Sequence, residues 1–296
     1  MTSSNLRIVF GVLGYGLLAA LTYLALSRAV AGPVSALPFV SAFASFALAP
    51  FTRFSHRKIG SSFAKFFRPL SFSTSQIAIA YSLQSASIFS TFYAAAVGTA
   101  VATLFGAVFL KERISRMGII GILCVFLGAG LMKNSLPISM IALAAGILQG
   151  LTASFTRRVS LDGGHSATMA FANMATLWIL STCFCLLSKY EFVIDVVDTS
   201  VIVGAFGFAL LQFFYCKFSR KLESWHLSLL LHSRIPWGYL IGMFFLGDVV
   251  TVTNLIGCLV LLLGLILAGA KTRPKDSFKI GVVTSVHTRQ QVKHVA

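Results

Sequence analysis

Arg234 is the residue of this chain best placed for binding chemistry, because it lies inside an apolar run. Nine residues separate it from Trp225, which at helical rise is about 14 Å, close to the middle of a bilayer. A guanidinium at that depth costs roughly 2.5–3.5 kcal/mol to insert, so it must face other helices or a wet cavity. Two roles follow: binding a carboxylate or phosphate of a substrate, or holding a helix-end carbonyl or an acid internally. The residue types favour neither. His232 and Ser233 add polarity beside it, and Pro236 predicts a kink. Other polar or aromatic groups at mid-span are Tyr15, Tyr81, Gln84, Tyr93, Gln149, Trp178, Gln212 and Tyr239. Such groups orient ligands in apolar pockets, though each alone is more often a helix–helix hydrogen bond or a packing residue. Gln84 and Gln149 stand out, since an amide at that depth needs a partner. The expected substrate contacts are therefore Arg234, His232, Tyr15, Gln84, Tyr93, Gln149, Trp178 and Tyr239.

Acids are informative by position. All eight (Glu112, Asp162, Glu191, Asp195, Asp198, Glu223, Asp248 and Asp276) fall in connections or at the ends of apolar runs. Proton-driven carriers usually keep a carboxylate in the membrane core. Exchange or facilitated movement is thus favoured, with His232 the remaining candidate for proton coupling. Glu112 and Asp248 lie three residues before Ser115 and Thr251, plausible N-caps, and an acid near a helix N-terminus is stabilised by free N–H groups and the macrodipole. They read as turn residues rather than as proton carriers. The five cysteines sit in apolar runs, and Cys183 and Cys185, two apart, fall on different helix faces. They read as packing residues, so no metal or cofactor is expected. HExxH, GxSxG and GxxxxGK[ST] patterns are missing, which argues against a membrane enzyme and against ATP-driven pumping by this chain.

The elements that would carry these residues are membrane spans. Charged residues are 11% of the chain, hydrophobic ones 57%, and mean hydropathy is +0.86, too apolar for a soluble surface. Net charge is +16, yet the basic residues lie in short connections rather than along one face. They fit topology better than nucleic acid. Apolar windows predict ten helices near 6–27, 33–52, 70–88, 90–110, 116–133, 136–156, 165–187, 196–216, 225–246 and 250–270. The first run is longer than a signal-peptide core and aligns with Ala144–Asp162 of the second half, so it reads as a retained span. With no cleavable leader in that reading, the expected location is a plasma membrane, a bacterial inner membrane for preference.

Residues 109–131 recur at 245–267 with an offset of 136, pairing Gly121 with Gly257, Gly128 with Gly264, Glu112 with Asp248 and Ser115 with Thr251. The same offset pairs Gly14 with Gly150 and Gln76 with Gln212. Internal repeats of this kind build many transporters. With the N-terminus inside, twenty Lys and Arg are cytoplasmic, against three (Arg28, Lys133 and Lys189) outside, so both termini are expected in the cytoplasm. Five spans per half is an odd number, so the second repeat should be inverted. The expected fold is an all-α integral membrane protein of ten transmembrane helices, built as two inverted five-helix repeats (1–134 and 135–270). A basic cytoplasmic tail over 271–296 follows, able to touch anionic lipid.

On these residues the chain resembles the drug/metabolite transporter superfamily in its ten-span form with two EamA domains. The resemblance covers Leu6 to Ala270. It rests on Leu110-Lys111-Glu112 with Gly121 and Gly128, and on Leu246-Gly247-Asp248 with Gly257 and Gly264. A family proline about a dozen residues before the acid is matched by Pro236, but Ala100 stands there in the first half. Aspartate replaces the usual glutamate at Asp248. The resemblance implies a secondary transporter that moves a small organic metabolite by alternating access through a central cavity. Expected substrates are amino acids or amino-acid derivatives such as S-adenosylmethionine. Nucleotide sugars or sugar phosphates are the alternative, and a non-transporting accessory membrane protein is the competing class. The expected partners are the small-molecule substrate and the lipid bilayer, with the chain a monomer or homodimer.

Overall fold

Apolar runs held in lipid must satisfy their own N–H and C=O groups, and helices do so within one segment. Nearly all of the regular structure is accordingly helical. The structure is a computed structural model that describes residues 3–29, 32–53, 62–85, 97–131, 140–190, 198–241, 243–244, 251–269 and 277–278. The helices are α1 (Ser3–Ser27), α2 (Gly32–Leu48, extended by a 3₁₀ turn Ala49–Phe51), α3 (Ser62–Ser85), α4 (Val97–Phe109), α5 (Arg116–Leu131) and α6 (Met140–Leu161). They continue as α7 (Ser166–Leu187), α8 (Thr199–Phe218), α9 (Ser224–His232), α10 (Arg234–Ile241) and α11 (Val252–Gly269). A two-residue antiparallel ladder sets β1 (Ile114–Ser115) against β2 (Ser277–Phe278), with Ile114 opposite Phe278.

Among the described residues, three stretches are long and apolar enough to cross a membrane: Gly32–Phe51, Ser166–Leu187 and Thr199–Phe218. The outer surface fits such a setting. Leu123, Leu127, Ile179, Leu187, Phe206 and Leu259 are each more than half exposed, while Ser41, Ser73, Thr99, Asn173, Ser228 and Arg234 are buried. Apolar side chains face outward and polar ones inward, as lipid demands.

Capping follows the expected pattern at both copies of the repeated block. The Ser115 Oγ accepts from the Gly118 N–H at 2.9 Å, and the Thr251 Oγ1 accepts from the Asn254 N–H at 3.2 Å. Glu112 caps a helix other than the one expected. Its Oε2 accepts from the Ser224 N–H at 2.9 Å, so it serves the start of α9 rather than α5. Asp248 and Tyr93 lie outside the described residues.

Two expected spans differ in their bounds. The third starts at Ser62 rather than 70, and its first turns hold Arg68 buried, with Nη1 donating to the Met169 carbonyl at 2.8 Å. That bond lets a charged residue lie in the packed part of the helix ahead of its apolar stretch. The ninth is divided at Ser233 into α9 and α10.

Packing brings the helices together in a definite order. α5 lies along α11, α3 on α6, α1 on α8, α2 on α7, α4 on α6 and α10 on α1. Along α5 and α11 the contacts are reciprocal. A Cβ on Gly128 would come within 2.6 Å of the Gly257 carbonyl oxygen, and one on Gly264 within 2.7 Å of that of Gly121. Only glycine allows backbones so near, the means by which helices associate where no water drives them together.

Candidate functional site

Helical spacing gathers side chains of six helices on one cavity, with Leu231 the contribution of α9. On α1, Tyr15 and Tyr23 are eight apart; on α3 and α8, Phe72 with Gln76 and Phe208 with Gln212 are four apart; on α6, Gln149 and Thr152 are three apart. Each pair therefore shares a helix face. Tyr215 of α8 and Arg234 of α10 complete the polar wall. The space enclosed is narrow. About 20 Å³ of it is open to the centre of a water molecule, room for one to a few waters.

Arg234 reaches this wall because the helix breaks there. Pro236 has no N–H for the His232 carbonyl. The Ser233 hydroxyl donates to the Leu230 carbonyl at 2.7 Å, and Gly16 of α1 leaves room for Ser233 against it. The break starts α10 at Arg234, whose side chain is 1% exposed. Its Nη2 donates to Gln149 Oε1 at 3.0 Å, and its Nη1 lies 3.4 Å from the Tyr23 hydroxyl. The guanidinium carbon also stands 5.2 Å from the centre of the Tyr23 ring, a cation–π distance. Tyr23 in turn donates to Gln76 Oε1 at 2.5 Å. One guanidinium thus links α10 to α6, α1 and α3. Across the cavity, Asn173 Nδ2 donates to Gln212 Oε1 at 2.9 Å.

Among the expected contacts, Arg234, Gln149 and Tyr15 lie together on this cavity. The structure separates others from it. Gln84 is exposed in the last turn of α3, where its Oε1 accepts from the Tyr190 hydroxyl at 3.1 Å. With α3 beginning at Ser62, Gln84 sits at the end of its helix rather than at mid-span. Trp178 is 41% exposed on the outer face of α7, near the Phe46 ring. Its helix is apolar on every side, so sequence pattern does not define which face turns inward. Tyr81 is likewise exposed. His232 and Tyr239 are buried next to the break, but neither lines the cavity. Both ring nitrogens of His232 lack a hydrogen-bond partner among the described residues.

No family model matches the chain, and no curated protein matches it. A solved structure described only as "Crystal structure of protein" shares the fold, with a TM-score of 0.65 over 90% of this chain and 97% of that one. Identity is 15%, so the likeness extends to the fold and no further.

Tyr23, Phe72, Gln76, Phe208 and Tyr215 line the cavity without having been expected there. The repeat carries a signal for three of them. Phe72 and Gln76 recur as Phe208 and Gln212 at the offset of 136, and all four of these residues lie on the cavity wall.

A second polar cluster surrounds Glu112. The Arg157 Nε lies 3.5 Å from Glu112 Oε1, and Arg157 Nη1 donates to the Ser219 carbonyl at 2.8 Å. Arg220 Nη2 donates to the Gly164 carbonyl at 2.8 Å. These arginines satisfy helix-end carbonyls, where cations are favoured. Burial pushes the Glu112 carboxyl above its ordinary range, and the bond from Ser224 and the attraction of Arg157 oppose that shift. The cluster joins helix ends rather than enclosing a ligand-sized space.

Proposed function

We propose that this chain is a secondary transporter of the ten-span drug/metabolite superfamily type, moving a small organic metabolite with an acidic group through the Arg234 cavity. The observation that carries this reading is Arg234 itself: a buried guanidinium, presented by a broken helix, on a cavity where six helices meet. Broken helices that present polar groups near mid-bilayer are a recurring transporter device.

Further support comes from packing. At the offset of 136, α1 to α5 fall on α6, α7, α8, α10 and α11 in turn, and the contacts of α3 with α6 and of α4 with α6 correspond to those of α8 with α1 and of α10 with α1. That pattern favours two five-helix repeats, 1–134 and 135–270. The lysine and arginine distribution favours inversion of the second repeat and cytoplasmic termini in a plasma membrane. The cavity is too narrow here for a metabolite, so loading requires the helices to part, as alternating access does. Movement by exchange or facilitated flow fits the positions of the acids, all in connections or at span ends.

Flux through liposomes containing the purified chain, measured against a metabolite panel, tests the reading. Arg234→Ala should weaken apparent affinity at least about 30-fold, the effect of removing one member of a buried charged contact. Arg234→Lys should retain part of it. Unaltered flux in both variants, with normal membrane insertion, would exclude Arg234 as the anchor. Absence of flux for every solute would favour a non-transporting membrane protein.

A further inference from the structure

The donor and acceptor inventory of the cavity narrows the class of ligand. Two buried donors face it without a hydrogen-bond partner among the described residues: Gln149 Nε2 and the Tyr215 hydroxyl, on residues 3% and 2% exposed. The side-chain carbonyls of the wall already accept, Gln149 from Arg234, Gln76 from Tyr23 and Gln212 from Asn173. No carboxylate lines the cavity among the described residues. A carboxylate needs donors and finds them. An ammonium brings three donors and a positive charge; each amide oxygen of the wall already holds one donor, and the Arg234 guanidinium repels a second cation in so confined a space. A buried donor left unmatched is costly, so this lining discriminates by charge type and not only by shape.

The rest of the wall is aromatic. Phe72 and Phe208 occupy corresponding places on α3 and α8, and Phe208 meets the Tyr23 ring edge-on, with centroids 5.5 Å apart. Tyr15 and Tyr215 add two more rings. Such rings favour a flat, unsaturated body by offset stacking or edge-to-face contact. We propose that the cavity binds a small aromatic carboxylate and discriminates against zwitterionic amino acids, with Gln149 Nε2 and the Tyr215 hydroxyl as specificity-determining donors beside Arg234. This rests on the anion-binding role of the cavity given above, and it departs from the amino-acid substrates that the family resemblance implies.

Titration calorimetry on the full chain in detergent micelles at about pH 8 tests it, with benzoate, 3-phenylpropanoate, phenylalanine, benzamide and benzylamine as probes. Benzoate, and 3-phenylpropanoate as the phenylalanine skeleton without its ammonium, should each bind at least about 30-fold more tightly than phenylalanine. Benzamide, lacking the charge, should bind weakly. Gln149→Glu supplies an acceptor beside Arg234, and should abolish benzoate binding while admitting benzylamine. A folding defect does not reverse a preference in this way. Tyr215→Phe, which removes a hydroxyl from an otherwise unchanged ring, should weaken benzoate roughly 10-fold. Phenylalanine binding as tightly as benzoate or 3-phenylpropanoate would overturn the proposal, as would unchanged benzoate affinity in both variants, or no binding of benzoate at all. Flux separates the two claims. Selective benzoate binding without flux of any solute leaves the proposal standing and removes the transport reading. Flux of amino acids with indifference to benzoate does the reverse.

Discussion

Two helix junctions occupy equivalent places at the offset of 136 and are built from different residues. Where α4 meets α6, Gly98 lies against Gly146 and Gly150, so closely that a methyl group on Gly98 or Gly150 would collide with the other helix's backbone. The equivalent positions where α10 meets α1 are Arg234 and Gly14. Gly14 is exposed, and a Cβ on it would find no atom within 4 Å; α10 approaches α1 at Gly16 instead, where a Cβ would collide with the Ser233 carbonyl, while Arg234 reaches Tyr23 and Gln149. Both junctions hold a close glycine, but only the second adds a buried cation. The cavity takes lining residues from α1 and α6 and from α3 and α8, which correspond at that offset, and adds Leu231 of α9 and Arg234 of α10.

The largest test of this contrast is steric. Gly98→Leu should lower unfolding free energy in micelles by at least about 3 kcal/mol, since a bulky side chain cannot enter a backbone contact without separating α4 from α6. Gly14→Ala should stay within about 0.5 kcal/mol, as at other sites free of contacts. Equal losses at the two positions would mean that Gly14, like Gly98, lies in a helix contact.

A smaller effect probes the cation's surroundings. Gln149 corresponds to Leu13 in the first half. Gln149→Leu makes the second repeat copy the first, and it removes an acceptor 3.0 Å from the Arg234 guanidinium. Loss of a hydrogen bond to a buried charged group should cost about 2 kcal/mol, read from the same unfolding measurement. A stabilised Gln149→Leu protein would show that Gln149 contributes nothing to holding the guanidinium.

Some of this architecture is legible in the amino-acid sequence, and the kind of signal decides which part. Helix positions follow from apolar runs, and the caps at Ser115 and Thr251 from local chemistry. The close glycines of α5 and α11 follow from the repeat. Arg234 is placed by depth alone, because a charge at mid-span has few tolerable settings. Helix rotation is not legible. Trp178 and Asn173 lie on one apolar helix, and only the packing of its neighbours turns Asn173 inward and Trp178 out. The length of α3 is also hidden. It runs from Ser62 to Ser85, so its midpoint lies between Ser73 and Thr74 and Gln84 falls in its last turn. Arg68 in its first turns bonds Met169, 101 residues away, a contact that no local pattern encodes.

The smallest expected effect concerns positions where the two halves agree. Ser115→Ala and Thr251→Ala each remove an N-cap acceptor, from α5 and α11 respectively. Each should cost about 1 kcal/mol, the usual value of such a cap. Their helices pack against each other through reciprocal glycines, so a cap lost on either one loosens the same interface. The two losses should therefore be close in size. The double variant tests whether that interface acts as one unit: caps that act alone add, whereas caps that share the interface do not. Single losses differing severalfold would extend the asymmetry of Gly98 and Arg234 to the whole repeat. Matched losses would confine it to the junctions around the cavity, where one copy has Gly98 and the other presents the Arg234 guanidinium.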